Sequence, residues 1–198
     1  VIHDHRGHGE SVTSQADLGY FHTSGWKGIV DDILIVNEHI RSLHPGIPVF
    51  LFGHSMGSLA VRSFTKRYDT IINGLIVCGS PSRNPATGAG RMLARVIASI
   101  KGDRHRPSLI HKIAFENFNS RFVSEGENAW LSTDRTIVKE YNDDPLCGYM
   151  FTANGFTVLF APMLDTYSGK GWNVCNPSLP IHFIAGADDP CITSRKDF

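Results

Sequence analysis

The sequence lacks several features that would mark a specialised class of protein. Its 198 residues contain 19 Lys and Arg against 19 Asp and Glu, so the formal net charge is zero. Without a basic excess, the chain offers no electrostatic footprint for a nucleic acid. No apolar run approaches the roughly 20 residues that span a bilayer, and no basic flank precedes an apolar stretch near Val1, as in a signal peptide. We therefore expect a cytoplasmic globular protein with one sizeable core.

The four cysteines stand far apart, and no two of them form a C-x-x-C pair. A zinc or redox site is not expected, and reduced buried thiols are the simpler interpretation. Ten histidines are present, and His3, His5 and His8 cluster near the start. Alternate residues of a strand would place His3 and His5 on one face, but no third ligand follows at a suitable spacing. We predict an ordinary turn there, and neither a metal nor another cofactor.

Hydrophobic periodicity predicts alternating strands and helices in the first part of the chain. The predicted strands are a strand end at Val1–Asp4, then Ile47–Phe52, Gly74–Gly79 and Ile181–Ala185. The predicted helices are Trp26–Leu43 and one from the stretch around Ser55 to about Tyr68. Short apolar runs of this kind are typical of buried parallel strands, so the pattern favours an α/β protein with a parallel sheet.

The character of the sequence changes at Ser82. Between Pro81 and Pro177 the pattern is mostly helical, and it includes the amphipathic stretch "RMLARVIASI". Because the strand pattern then returns, we divide the chain into three parts. These are a core segment 1–81, a helical insertion 82–177 and a continuation of the core 178–198.

The stretch "FGHSMGS" places Ser55 between Gly53 and Gly57, where a predicted strand turns into a predicted helix. A serine hydroxyl is a poor nucleophile until a base removes its proton and donors stabilise the oxyanion. A sharp strand-to-helix turn would expose the hydroxyl, and the backbone N–H of Met56 would become one oxyanion donor. Flanking glycines leave the room that such a turn needs. The alternative is a serine that caps a helix.

An acid that orients the base is expected after a later strand. The stretch "IAGADDPC" places Asp188 and Asp189 directly after the predicted strand Ile181–Ala185. The alternative is a polar turn, because Gly, Asp and Pro are all turn residues. Local chemistry leaves both interpretations open.

Three motifs, "DHRGHGES", "FGHSMGS" and "IAGADDP", resemble in this order the α/β-hydrolases of the monoacylglycerol lipase and lysophospholipase group, whose relatives include serine aminopeptidases. The stretch "WLSTDRTIVKEYNDDPLCGYMFT" resembles the cap segment of bacterial members, so the resemblance covers nearly the whole chain. It implies the α/β-hydrolase fold, a mainly parallel sheet flanked by helices with a helical cap insertion. It also implies that the sheet is incomplete at both ends, as in an internal segment of a longer chain.

The resemblance also implies roles for residues of the serine turn. Ser55 is the nucleophile, Met56 supplies an oxyanion N–H, and Gly53, His54 and Gly57 complete the nucleophile elbow. No cofactor or metal is implied by this chemistry.

The family acid stands three residues after the glycine that closes the strand. Counting from Gly186 gives Asp189 rather than Asp188. The family histidine lies on a loop well after the acid, and no histidine of this sequence fills that role by position. His54 and His182 are expected to be structural, and the loop that gives the second oxyanion donor lies outside this sequence.

The implied function is a serine hydrolase that cleaves a small-molecule acyl ester, a monoacylglycerol or a lysophospholipid, through an acyl-enzyme on Ser55. The alternatives are a peptidase or another acyl hydrolase on the same scaffold, and a ligand-binding relative without turnover. An apolar cap suits an acyl chain, although packing on the core is the simpler interpretation for any one cap residue. A minor interpretation is transient contact of the cap with a membrane surface. No nucleic-acid partner is predicted, and the sequence does not indicate an oligomeric state.

Overall fold

The structure, a computed structural model, describes residues 1–22, 25–194 and 196. Within these residues the strands are β1 (Phe50–His54), β2 (Gly74–Cys78) and β3 (Ile181–Ile184). The α-helices are α1 (Gly25–Leu43), α2 (Met56–Tyr68), α3 (Thr87–Lys101), α4 (Ser108–Phe115), α5 (Arg135–Asp143) and α6 (Ala153–Thr166). The chain divides into two compact units, one of residues 1–25 and 89–158, the other of residues 26–88 and 159–198.

The second unit contains a parallel sheet with β2 between β1 and β3. Phe50 pairs with Gly74, and Leu75 pairs with Ile181, so the carboxyl ends of all three strands lie at one edge. Parallel neighbours need a crossover connection, and α2 provides it between β1 and β2. This edge is where an open α/β sheet places its ligand sites.

One face of the sheet packs against α2. A Cβ atom added to Gly53 of β1 would lie 2.5 Å from Cγ2 of Val61, which shows how closely the helix approaches that strand. Leu59 and Phe64 of α2 are fully buried. On the alternate positions of β1, Phe50 and Phe52 point the other way and are 62% and 59% exposed. The hydrophobic core of this unit therefore lies between the sheet and α2.

The first unit has a core of aromatic side chains. Phe21 and Phe156 are fully buried. The ring of Phe151 lies 5.6 Å from that of Phe21 and 5.9 Å from that of Phe156, measured between centroids. Edge-to-face and tilted arrangements at these distances are the favourable ones for aromatic pairs.

The strand end predicted at Val1–Asp4 is wrong. Residues 1–5 have no regular secondary structure, and Val1 and Ile2 are almost fully exposed. A strand needs a partner strand, and the sheet of the described residues consists of β1, β2 and β3 alone. His3 and His5 therefore do not share a strand face. Their rings meet edge to face, with 5.1 Å between centroids.

The other predicted elements are confirmed, with shifted ends. The strand predicted over Ile47–Phe52 begins at Phe50, since Pro48 has no N–H and the N–H of Val49 donates to Oδ1 of Asn73 at 2.8 Å. Helix α1 begins one residue before the predicted Trp26, and α2 ends at Tyr68 as predicted.

The mostly helical pattern after Pro81 is also confirmed. Between Cys78 and Ile181 the described residues form helices and turns and no strand. The division at residues 82 and 177 stays a prediction. No helix of the described residues is long and apolar enough to cross a membrane, and the cytoplasmic location stays a prediction as well.

The expectation of buried thiols is met only in part. Among the described residues none of the four cysteines forms a disulfide, and Cys191 is buried. Cys175, by contrast, is exposed, because it lies in the irregular segment between α6 and β3.

Candidate active site

Ser55 forms a sharp turn between the end of β1 and the start of α2. Its backbone has φ +50° and ψ −117°, a sparsely populated region for a residue with a side chain, which costs on the order of 1–3 kcal/mol. The Ser55 side chain makes no capping hydrogen bond to α2. The helix-cap interpretation of this serine is therefore wrong, and the strained turn requires another reason.

The two glycines around Ser55 meet across the turn. A Cβ atom on Gly53 would lie 2.5 Å from the carbonyl oxygen of Gly57, well inside van der Waals contact. Only a residue without a side chain allows the strand and the helix to approach so closely. The spacing of the motif thus has a steric cause.

Hydrogen bonds hold the backbone of the turn from two sides. The N–H of Ser55 donates to the carbonyl of Cys78 at the end of β2, with 3.0 Å between N and O. The carbonyl of Ser55 accepts from the N–H of Ser58 at 3.0 Å and from its hydroxyl. Ser55 itself is half-buried, so the serine lies at the surface of a rigid corner.

Met56 is the first residue of α2. The N–H groups of the first helical turn have no partner within the helix, and the helix dipole adds positive potential there. An N–H at this place, directly after the serine, has the position that an oxyanion donor requires. The role of Met56 stays a prediction.

Asp189 follows β3 at the same edge of the sheet. Its Oδ1 accepts the N–H of Cys191 at 2.9 Å, and its own N–H donates to the carbonyl of Gly186 at 3.3 Å. Asp189 is half-buried, whereas Asp188 is exposed. Burial, and then the charge and hydrogen bonding of Asp189, raise the pKa of the Cys191 thiol to about 12, so that thiol is neutral. Of the two carboxylates, Asp189 is the one that the surrounding backbone holds in place.

Gly79, predicted as the last residue of a strand, has a part in this site that the sequence did not indicate. The strand β2 ends at Cys78, and Gly79 has φ +53°. A Cβ atom on Gly79 would lie 3.2 Å from Oδ2 of Asp189 and 3.2 Å from Nε2 of His54. The side chains of Asp189 and His54 therefore approach the same point beside the middle strand. The signal in the sequence that could have indicated this close approach was the glycine at the carboxyl end of the predicted strand.

A second feature that the sequence did not indicate is Arg62 of α2. Its Nη1 donates to Oγ of Ser80 at 2.9 Å and to the hydroxyl of Tyr167 at 3.3 Å. The Tyr167 hydroxyl donates in turn to the carbonyl of Pro81 at 2.6 Å. The guanidinium also lies 5.6 Å from the centroid of the Phe183 ring. Arg62 thus ties the helix after Ser55 to the segment that follows β2.

Among the described residues, neither His54 nor His182 of the second unit forms a hydrogen bond with Ser55 or Asp189. His54 is the last residue of β1 and His182 lies in β3, and both are exposed. No group of three His, Cys, Asp or Glu side chains among the described residues is arranged to hold a metal ion.

A parallel sheet, a strained strand–serine–helix turn and an acid after a later strand at the same edge together define the α/β-hydrolase fold. Solved structures of this fold are similar to the chain. A lipase in its open form matches with TM-score 0.80 and 22% identity, over 95% of this chain and 62% of that one. A thermostable carboxyl esterase from Bacillus coagulans matches with TM-score 0.73 and 22% identity, over 81% of this chain and 53% of that one.

The sequence matches the family described as "Serine aminopeptidase, S33" over residues 1–197. The chain belongs to this family. The human monoglyceride lipase is 29% identical over 146 residues, which are 73% of this chain and 41% of that protein. The chain spans about half, or less, of the length of the curated relatives it matches. The resemblance to the monoacylglycerol lipase group is confirmed.

Proposed function

We propose that this chain carries the nucleophile and the acid of a serine hydrolase that cleaves carboxylic esters of lipids, a monoacylglycerol or a lysophospholipid. The observation that carries the proposal is the turn at Ser55. Its positive φ is a strained conformation that a merely structural serine has no need to adopt, and its hydroxyl is not used to cap the helix. Asp189 lies after β3 at the same sheet edge.

The proposed reaction proceeds through an acyl-enzyme. The Oγ of Ser55 attacks the ester carbonyl carbon while its proton passes to a base, and the backbone N–H of Met56 donates to the oxyanion that forms. Collapse of this intermediate breaks the bond to the alcohol, which leaves with the proton. Water then attacks the acyl-enzyme with the help of the same base, and the carboxylic acid is released while Ser55 regains its proton.

Asp189 would orient that base and stabilise its protonated form. The backbone N–H of Cys191 donates to Oδ1 of this carboxylate, and we assign Oδ2 to the base. We assign the base to no histidine of this chain and treat His54 and His182 as structural residues.

The preference for a lipid ester draws on the relatives and on the cap. The human relative is named a monoglyceride lipase. In α3, Met92 and Ile100 are 62% and 77% exposed, so these two apolar side chains are not buried in the core. Exposed apolar surface of this kind suits an acyl chain or a lipid surface.

The experiment uses the complete protein and a fluorescent fluorophosphonate, which reacts with an activated serine. The wild type should be labelled stoichiometrically, and Ser55→Ala should not be labelled at all. Ser42→Ala, a change at an exposed serine of α1, is the matched control and should be labelled like the wild type. Labelling of Ser55→Ala at the wild-type level would refute the proposal.

A peptidase on the same scaffold is the second candidate, because the matching family is described as a serine aminopeptidase. A panel of acyl esters and aminoacyl amides separates the two. Faster turnover of monoacylglycerols than of every amide supports the lipase proposal. Faster turnover of an aminoacyl amide assigns the site to the peptidase, and labelling without any turnover points to a ligand-binding relative.

A further inference from the structure

The space above the Cα atom of Gly79 is shared by two side chains. A Cβ atom there would lie 3.2 Å from Oδ2 of Asp189 and 3.2 Å from Nε2 of His54. Both distances are shorter than ordinary contacts of a methyl group, so a side chain at this position would press on both groups. The N–H of Gly79 meanwhile donates to the carbonyl of Ile184 at 2.9 Å, which fixes the backbone against β3.

The two neighbours differ in how easily they can move. His54 is exposed at the end of β1, and its ring can turn away into solvent. The Asp189 carboxylate is half-buried, and Oδ1 is held by the N–H of Cys191 at 2.9 Å. Asp189 is also part of a turn in which its N–H bonds Gly186. An added methyl group would therefore rotate or displace a carboxylate that is otherwise fixed.

We infer that Gly79 is a positioning residue, whose missing side chain lets Asp189 hold the orientation that the proposed reaction needs. This inference rests on the proposed function for its catalytic meaning. The steric coupling between position 79 and Asp189 follows from the geometry and does not depend on that function. The conformation adds a second requirement, since φ +53° disfavours any residue with a Cβ atom.

The test compares Gly79→Ala with Gly46→Ala in the complete protein. Gly46 also has a positive φ, +83°, but nothing lies within 4 Å of a Cβ atom placed there. Both variants carry the backbone strain of alanine in a left-handed conformation, so both should melt roughly 2–8 °C below the wild type. Only Gly79→Ala should lower kcat, by about tenfold with KM unchanged, because only this variant displaces the Asp189 carboxylate, which orients the base in the proposed reaction.

A double-mutant cycle measures the coupling without any activity assay. In an Asp189→Ala background, Gly79→Ala should lower the melting temperature no more than Gly46→Ala does, because the carboxylate it presses on is gone. If Gly79→Ala alone does not fold, Gly79→Ala/Asp189→Ala should fold, and it should melt below Asp189→Ala by no more than Gly46→Ala melts below the wild type. Failure of that double variant to fold would overturn the inference.

The remaining outcomes are equally decisive. An equal loss of melting temperature at position 79 with and without Asp189, or an unchanged kcat in Gly79→Ala, would overturn the positioning role. If wild-type Ser55 is not labelled by the fluorophosphonate, the proposed function fails, and the melting cycle alone then decides the steric coupling.

Discussion

Replacing Asp165 with asparagine should destabilise the protein, because this carboxylate neutralises two cations of α2. Nη1 and Nη2 of Arg67 each donate to one Asp165 oxygen at 2.9 Å. Nζ of Lys66 lies 3.6 Å from Oδ1, and it donates to the carbonyls of Asp165 and Ser168 at 2.6 and 3.0 Å. The Lys66 side chain is 0% exposed. Asp165→Asn keeps the shape of the side chain and removes its charge.

The size of the loss in the free energy of unfolding follows from the charges of Lys66 and Arg67, which remain when the carboxylate is removed. Removing one partner of a buried ion pair costs about 3–5 kcal/mol, because the other charge stays in the interior. The Arg67 side chain is 31% exposed and water takes over part of its solvation, and Lys66 keeps its two carbonyl partners. We therefore expect a loss of about 2–3 kcal/mol in the free energy of unfolding.

Urea unfolding of wild type and variant measures this loss. The matched control is Asp143→Asn, which removes the carboxylate from an exposed pair with Lys139 on α5, whose side chains are 63% and 76% exposed. The control should unfold at the wild-type urea concentration. An equally small effect of Asp165→Asn would refute the idea that this buried charge pairing stabilises the fold.

The pH dependence gives a second check on Asp165. Burial alone would raise the pKa of this carboxyl, but hydrogen bonds from Arg67 and Ser63 and the charges of Arg67 and Lys66 outweigh it and hold the pKa below its ordinary value. The stabilisation is therefore complete above the unfolded pKa of about 4 and is lost as the pH falls through the folded pKa. The difference between wild type and Asp165→Asn should be constant from pH 5 to 7 and shrink below about pH 4.

Two further predictions concern the candidate site. In the complete protein, Asp189→Asn should lower kcat at least about 100-fold, since a mispositioned base is expected to be costly. Replacing the exposed Asp188 with asparagine should leave kcat near the wild-type value in the same ester assay. Equal losses in the two variants would overturn the choice of Asp189. Gly53→Ala should unfold at a clearly lower temperature than Gly46→Ala, because its methyl group would collide with the carbonyl of Gly57, and a smaller shift than that of Gly46→Ala would contradict the steric explanation.

The sequence predicted best what depends on local pattern. The glycine pair around Ser55 and the change of hydrophobic period located the turn, because the steric demand of that turn is confined to a few consecutive residues. Helix α2 and strand β2 were likewise found, since their apolar positions repeat within each element. The strand at Val1–Asp4 was wrong because its apolar residues carry no information on whether a partner strand is adjacent.

The features that escaped prediction depend on contacts between distant segments. The role of Gly79 appears only when Asp189, more than 100 residues later, returns to the end of β2. Arg62 carries no local signal of its role, and only the fold brings Tyr167 and Phe183 to its guanidinium. Hydrophobic periodicity within one segment carries no information on contacts with a distant segment, so only the tertiary structure shows them.

The pairing of β2 with β3 has a consequence for how the chain folds. About 100 residues separate the two strands, whereas about 20 separate β1 from β2, and closing the longer loop costs only about 1.5 kcal/mol more in chain entropy. The native state tolerates this easily, but folding rates fall as contacts become less local. We expect β1, α2 and β2 to assemble early and β3 to dock late, so the open edge of β2 is the surface through which folding intermediates would aggregate at high protein concentration.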